Sequence, residues 1–192
     1  MNIVDVGYRS THYYVLANHR PRLLLDAGWP GTLGMMRDSC RRKGIRLEEI
    51  PYQLVTHYHI DHAGLAEELK QLGVQLLVLD IQVAAIPLMR RHTKPEDHYT
   101  EISMQGNIVL TEATSRDFLK RIGIDGEIIA TPGHSDDSVT LILDEGAAFT
   151  GDLTNPALLP DDPTDLARQS WERILAKGAT TVYPAHGPVW HF

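Results

Sequence analysis

Cysteine is almost absent, with Cys40 the only one in 192 residues. A single cysteine closes no intramolecular disulfide and builds no thiolate zinc finger. Long apolar runs are missing too, and no stretch approaches the roughly 20 residues that a membrane helix needs. The opening Met1-Asn2-Ile3-Val4-Asp5 has no basic segment ahead of an apolar one, so no secretion signal is expected and the chain reads as cytoplasmic. Positive charge is in deficit: 18 Lys and Arg stand against 25 Asp and Glu, a formal net of −7. That balance disfavours non-specific binding to nucleic acid or to anionic membrane. Two basic clusters run against it, Arg37/Arg41/Arg42/Lys43/Arg46 and Arg90/Arg91/His92/Lys94, and both are read as solvated helix faces. Neither repeats nor low-complexity segments occur, and 43% hydrophobic with 22% charged residues describes a globular protein. At roughly 150 residues per domain, 1–192 is expected to form one domain.

Histidine, by contrast, is plentiful at ten residues. Its distribution matters only against the elements that carry it. Short strands are expected at Ile3–Val6, Tyr13–Ala17, Arg22–Asp26, Tyr52–Thr56 and the apolar run Val74–Leu79. A helix is expected over Gly31–Lys43, closed by Gly44, and another over Ala63–Leu72, where Leu65, Ala66, Leu69 and Leu72 share a face. Ile81–Arg91 reads as a helix interrupted by Pro87, and the polar, aperiodic 92–106 as a loop or lid. The second half gives a helix at Ser115–Ile122, strands at Glu127–Ala130, Val139–Leu143 and Ala148–Thr150, a helix at Leu166–Lys177 and a last strand at Thr181–Tyr183.

The densest chemistry follows the strand at Tyr52: His57-Tyr58-His59-Ile60-Asp61-His62. In extended chain, residues two apart point the same way, so His57 and His59 can face one point. Where the chain then turns into a helix, Asp61 and His62 can address a second point nearby. Imidazole and carboxylate suit Zn²⁺, Fe²⁺ or Mn²⁺, and the lack of thiolate argues against purely structural zinc. Three more segments follow one rule, an apolar strand running through a Gly-marked turn into a ligand: Thr131-Pro132-Gly133-His134, Gly151-Asp152 and Pro184-Ala185-His186-Gly187. Five histidines (His57, His59, His62, His134, His186) thus fall in ligand motifs, while His12, His19 and His191 match none. Ser135 and Ser138 flank the His134 turn without a Gly-x-Ser-x-Gly elbow, and turn roles are expected of them.

The cluster H-x-H-x-D-H, followed by Gly133-His134, Gly151-Asp152 and Ala185-His186-Gly187, resembles the metallo-β-lactamase fold superfamily. The resemblance runs from Asp26-Ala27-Gly28 to His186. It implies an α+β fold, a four-layer αββα sandwich of two mixed β-sheets flanked by helices. It also implies two divalent metal ions: His57, His59 and His134 would hold the first, Asp61, His62 and His186 the second, and Asp152 would bridge them. Asp26 would orient a ligand from behind. The ligand set is similar to that of glyoxalase II, but with only six residues after His186 no glutathione-binding C-terminal domain is expected. Common antibiotic-hydrolysing members place Cys near position 152, where this chain has Asp, so that activity is not expected.

These residues imply a metal-dependent hydrolase in which a metal-bridging hydroxide cleaves a small-molecule ester, thioester or lactone, with Asp61 and Asp152 as the catalytic carboxylates. The alternatives are a phosphodiesterase or nuclease acting on nucleic acid or nucleotides, and a non-catalytic metal-binding member of the fold. Trp29, Tyr58, the 92–106 segment and Thr154–Pro163 are candidates to border the site; Tyr58 suits the core equally well. A small-molecule partner is expected, no membrane, and a homodimer is left open.

Overall fold

The computed structural model describes residues 1–192, the side chain of Pro21 excepted. They form two compact units, 1–110 and 111–192, each built on one mixed sheet. The first unit opens with an antiparallel meander of β1 (Asn2–Asp5), β2 (Tyr14–Asn18) and β3 (Arg20–Leu25). Parallel strands β4 (Tyr52–Leu54), β5 (Gln75–Leu79) and β6 (Ile108–Leu110) then extend the sheet from β3 in chain order. Parallel neighbours need covered crossovers. The first is α1 (Leu33–Arg42), which buries Met36, Ser39 and Cys40 at helical spacing, with Gly44 past its end at φ +72°.

The expected single helix over Ala63–Leu72 is two, α2 (Ile60–Ala63) and α3 (Ala66–Gln71), parted at Gly64-Leu65. The interruption is a tertiary effect. A Cβ on Gly64 would lie 2.3 Å from Pro30 Cδ and 2.5 Å from the Gly28 carbonyl, and the Leu65 amide donates to the Ala27 carbonyl. The Asp26-Ala27-Gly28 turn therefore presses into the bend. The expected helix over Ile81–Arg91 consists of 3₁₀ turns at Asp80–Gln82 and Ile86–His92, with Pro87 in the second. Val6, Tyr13, Val15, Leu24, Val55, Leu65, Leu69 and Val78 lie at the centre of this unit's core.

In the second unit α4 (Glu112–Arg121) leads into β7 (Gly126–Ala130), β8 (Val139–Leu143), β9 (Ala147–Gly151), α5 (Leu166–Ala176), β10 (Thr181–Pro184) and β11 (Trp190–His191). The sheet order is β11-β10-β9-β8-β7, with only β9 and β10 parallel. The parallel crossover is α5, capped by Asp165, whose side chain accepts the Arg168 amide at 2.9 Å. It buries Ala167, Ser170, Trp171 and Ile174, an i, i+3, i+4, i+7 stripe. Strands β6, of three residues, and β11, of two, have no counterpart among the expected strands. Among the described residues no helix is long and apolar enough to cross a membrane.

Candidate metal centre

Strand β4 delivers Val55 and Thr56 straight into His57. Three buried polar side chains fix that delivery. Asp26, at φ +62° just past β3, accepts the Thr56 amide at 2.7 Å on Oδ1, and the Thr56 hydroxyl lies 2.9 and 3.0 Å from its two oxygens. Gln82, fully buried, donates from Nε2 to the Val55 carbonyl at 2.9 Å and accepts the Leu79 amide at 3.0 Å. This amide ties the end of β5 to the backbone that precedes His57. Sequence reasoning missed it: one glutamine at the end of an apolar strand has no distinguishing spacing.

The same contacts set the imidazole tautomers. The only hydroxyl proton of Thr56 points at Asp26, so Thr56 Oγ1 can only accept from His57 Nδ1, 3.2 Å away. His57 Nε2 then carries the lone pair, and it faces His59 Nδ1 at 3.0 Å. His62 Nδ1 donates to Asp26 Oδ2 at 3.0 Å, which in the neutral imidazole leaves the Nε2 lone pair 3.4 Å from Asp61 Oδ2. Asp61 is held in turn by the Thr11 hydroxyl, 3.3 Å from Oδ2, and by the Tyr13 hydroxyl, which donates to its carbonyl at 3.1 Å. Thr11 and Tyr13, like Gln82, went unnoticed in the sequence.

In the second unit the candidate ligands follow the ends of β7, β9 and β10, of which β9 and β10 are paired neighbours and β7 lies beyond β8. His134 follows β7 through Gly133, where an added Cβ would meet Ala167 of α5 at 2.6 Å. Only glycine permits that approach, at φ +143°. Asp152 follows β9 and His186 follows β10. Asp152 Oδ2 lies 3.6 Å from His134 Nε2, while its Oδ1 lies 3.5 Å from His186 Nε2. The Ser135 and Ser138 hydroxyls bond each other at 2.8 Å and close the turn, the structural role expected of them.

The donor set fits divalent ions. Two N or O ligands about 2.1 Å from a tetrahedral ion lie about 3.4 Å apart. The pairs His57/His59, Asp61/His62, His134/Asp152 and His186/Asp152 are spaced between 3.0 and 3.6 Å. At least in the Asp61/His62 pair, both facing atoms are electron-pair donors, a contact that a cation between them makes favourable.

The bordering candidates divide. Tyr58 is 4% exposed and packs in the first unit's core. Trp29 is half-buried, with the Arg9 guanidinium 5.8 Å from its ring. Within 92–106, Ile102 and Tyr99 pack on the core, and Lys70 Nζ donates to the carbonyls of Ser103 and Gln105. The Trp171 indole donates to the Thr154 carbonyl at 2.7 Å and pins the start of the 154–163 loop.

A sequence profile of the metallo-beta-lactamase superfamily matches residues 6–186. The chain belongs to that superfamily. Its fold is the superfamily's α+β arrangement of two mixed sheets with flanking helices: a metallo-beta-lactamase family protein of Thermus thermophilus superposes with TM-score 0.73 at 19% identity, covering 99% of this chain and 74% of that one. Within the superfamily the chain is 29% identical over 201 residues to a probable metallo-hydrolase of Methanocaldococcus jannaschii, spanning 95% of this chain and 90% of that protein. It is 28% identical over 191 residues to a beta-lactamase-like protein 2 homolog of Caenorhabditis elegans, of which the match spans 57%. An atrochrysone carboxyl ACP thioesterase of Aspergillus fumigatus is 26% identical over 188 residues, 94% of this chain and 52% of that protein. The chain thus spans little more than half the length of several relatives that it matches.

Proposed function

We propose that this superfamily member is a binuclear metal-dependent hydrolase of small-molecule esters, thioesters or lactones. The observation that carries the reading is Asp152, whose two oxygens each face a different histidine at coordination-edge spacing. A carboxylate so placed suits two ions, not one. In the proposed centre His57, His59, His134 and Asp152 would hold the first ion, and Asp61, His62, His186 and Asp152 would hold the second. Zn²⁺ suits this donor set, as do Fe²⁺ and Mn²⁺. When bound, such ions polarise a carbonyl and acidify water toward neutral pH.

The chain's own residues do the rest. Asp26 and Thr56 present His62 and His57 with their Nε2 lone pairs outward. Asp61, steadied by Thr11, orients the attacking water. His59, His134 and His186 are exposed and leave room for a substrate to approach. A thioester is favoured within the panel because one relative is named a thioesterase. The nuclease alternative loses support from the first basic cluster, where Arg37, Arg41 and Arg46 pair with Glu48, Asp38 and Glu49. We place the protein in the cytoplasm as one domain with 92–106 near the substrate; a homodimer stays open to measurement.

The test is metal content and hydrolysis on one sample, across lactones, thioesters, aryl esters and bis-p-nitrophenyl phosphate. The reading expects about two ions per chain and activity lost on chelation. Full activity in a metal-free preparation overturns it.

A further inference from the structure

The segment 90–101 forms a cleft of about 400 Å³ lined by Arg90, Lys94, His98, Tyr99 and Glu101, among others. Cavities of this size take small ligands. Its cations are only partly neutralised. Glu101 is bound to Arg90 at 2.6 Å, which leaves Lys94 and His98 as further donors on the wall. His98 is held at φ +54°, a conformation that non-glycine residues adopt at a cost. The Asp97 carboxylate accepts the Lys94 amide at 2.6 Å and sets the turn that produces it.

This cleft is tied to the proposed ligands by a short series of close contacts. His98 Cβ lies 3.6 Å from where a Gly31 side chain would begin, and Pro30 abuts Gly64. Gly64 follows His62 by two residues. Summed through these contacts, the Cα atoms of His98 and His62 lie no more than about 24 Å apart.

We propose that the cleft receives the terminal phosphate of an extended small-molecule substrate whose scissile bond lies at the ligand cluster. The proposal rests on the hydrolase reading and names its substrate class. Guanidinium, ammonium and imidazole donors together match a phosphate's three acceptor oxygens better than a carboxylate's two. A polyanion fits poorly, because Glu96, Asp97 and Glu101 lie on the same segment and offset Arg90, Arg91 and Lys94 along its length.

The test compares pantetheine with 4′-phosphopantetheine, which differ by one phosphate and end in a thiol that a thioester would join. Binding is measured by calorimetry on the intact chain. The phosphate should tighten binding about tenfold, Lys94→Glu should abolish that gain without changing pantetheine binding, and Lys94→Arg should retain it. Equal affinity for the two compounds overturns the proposal, as does an equal loss of both in Lys94→Glu. Tighter binding of a single-stranded oligonucleotide, with a steep salt dependence, overturns it too. Hydrolysis of the acyl derivatives is measured separately. A phosphate-dependent affinity without turnover would fault the hydrolase reading and leave the cleft's assignment standing.

Discussion

Asp26 Oδ2 accepts the Nδ1 proton of His62 at 3.0 Å, with the two side chains 5% and 0% exposed. A buried carboxylate behind an imidazole fixes its tautomer and raises its basicity toward a metal. Asp26→Asn keeps a residue that tolerates the left-handed backbone but supplies one acceptor where two are used. Metal affinity, measured by chelator competition, should fall about 10–100-fold, with the larger effect on the ion assigned to His62. Unchanged affinity would show that the bond is only structural.

Asp152→Ala removes both coordination edges of the second unit at once. Bound metal, measured by elemental analysis, should drop from about two ions per chain to one or none. The turnover number should fall at least about 100-fold, in the range seen when a centre's electrostatic stabilisation is lost. The melting temperature of the metal-free variant should stay near that of the metal-free parent, because Asp152 is not part of the apolar core.

Glu127 is pulled in two directions: burial raises its pKa, but Lys177 and Arg116, each at 2.8–2.9 Å, outweigh that and hold it below the ordinary carboxylate range. A depressed folded-state value means the contribution is present above the unfolded value, about 4.3, and is lost as pH falls through the folded one. Glu127→Gln should therefore destabilise the protein at pH 7 and have little effect near pH 2. Urea midpoints at the two pH values measure the difference. An equal effect at both would mean that packing, not charge, is responsible.

Cys40 is fully buried, and burial pushes its thiol up to about 11. Thiolate is the reactive form, so a disulfide reagent at pH 8 should label the native protein slowly and the urea-unfolded protein at once. Labelling of the native chain should track unfolding; fast labelling in buffer would contradict the packing of α1.

The clustering of His and Asp donors was legible because the geometry it needs is local. His57 and His59 are two residues apart on an extended chain, and Asp61-His62 starts the next turn, so spacing alone brings donors together. His134, Asp152 and His186 were legible through strand-end glycines. What braces them was not. Gln82, Thr11 and Tyr13 bond to residues 27 to 50 positions away, and nothing in their neighbours' spacing announces a long-range hydrogen bond. The gap between α2 and α3 was hidden for the same reason. Leu65, Ala66, Leu69 and Leu72 have helical spacing, and the run breaks where Pro30 and the Gly28 carbonyl press on Gly64 and the Leu65 amide turns to the Ala27 carbonyl. Tyr58, ambiguous by position between two ligands, was settled by packing into the core.

The single carboxylate of Asp152 has a consequence for how such a centre fills. One pair of torsions orients both its oxygens, so whatever arrests the side chain beside His134 also aims it at His186. The first occupant would prepay the ordering cost of the second, and occupancy would be linked in both directions. Loading curves should then be steeper than two independent sites give, with the second ion bound more tightly once the first is in place.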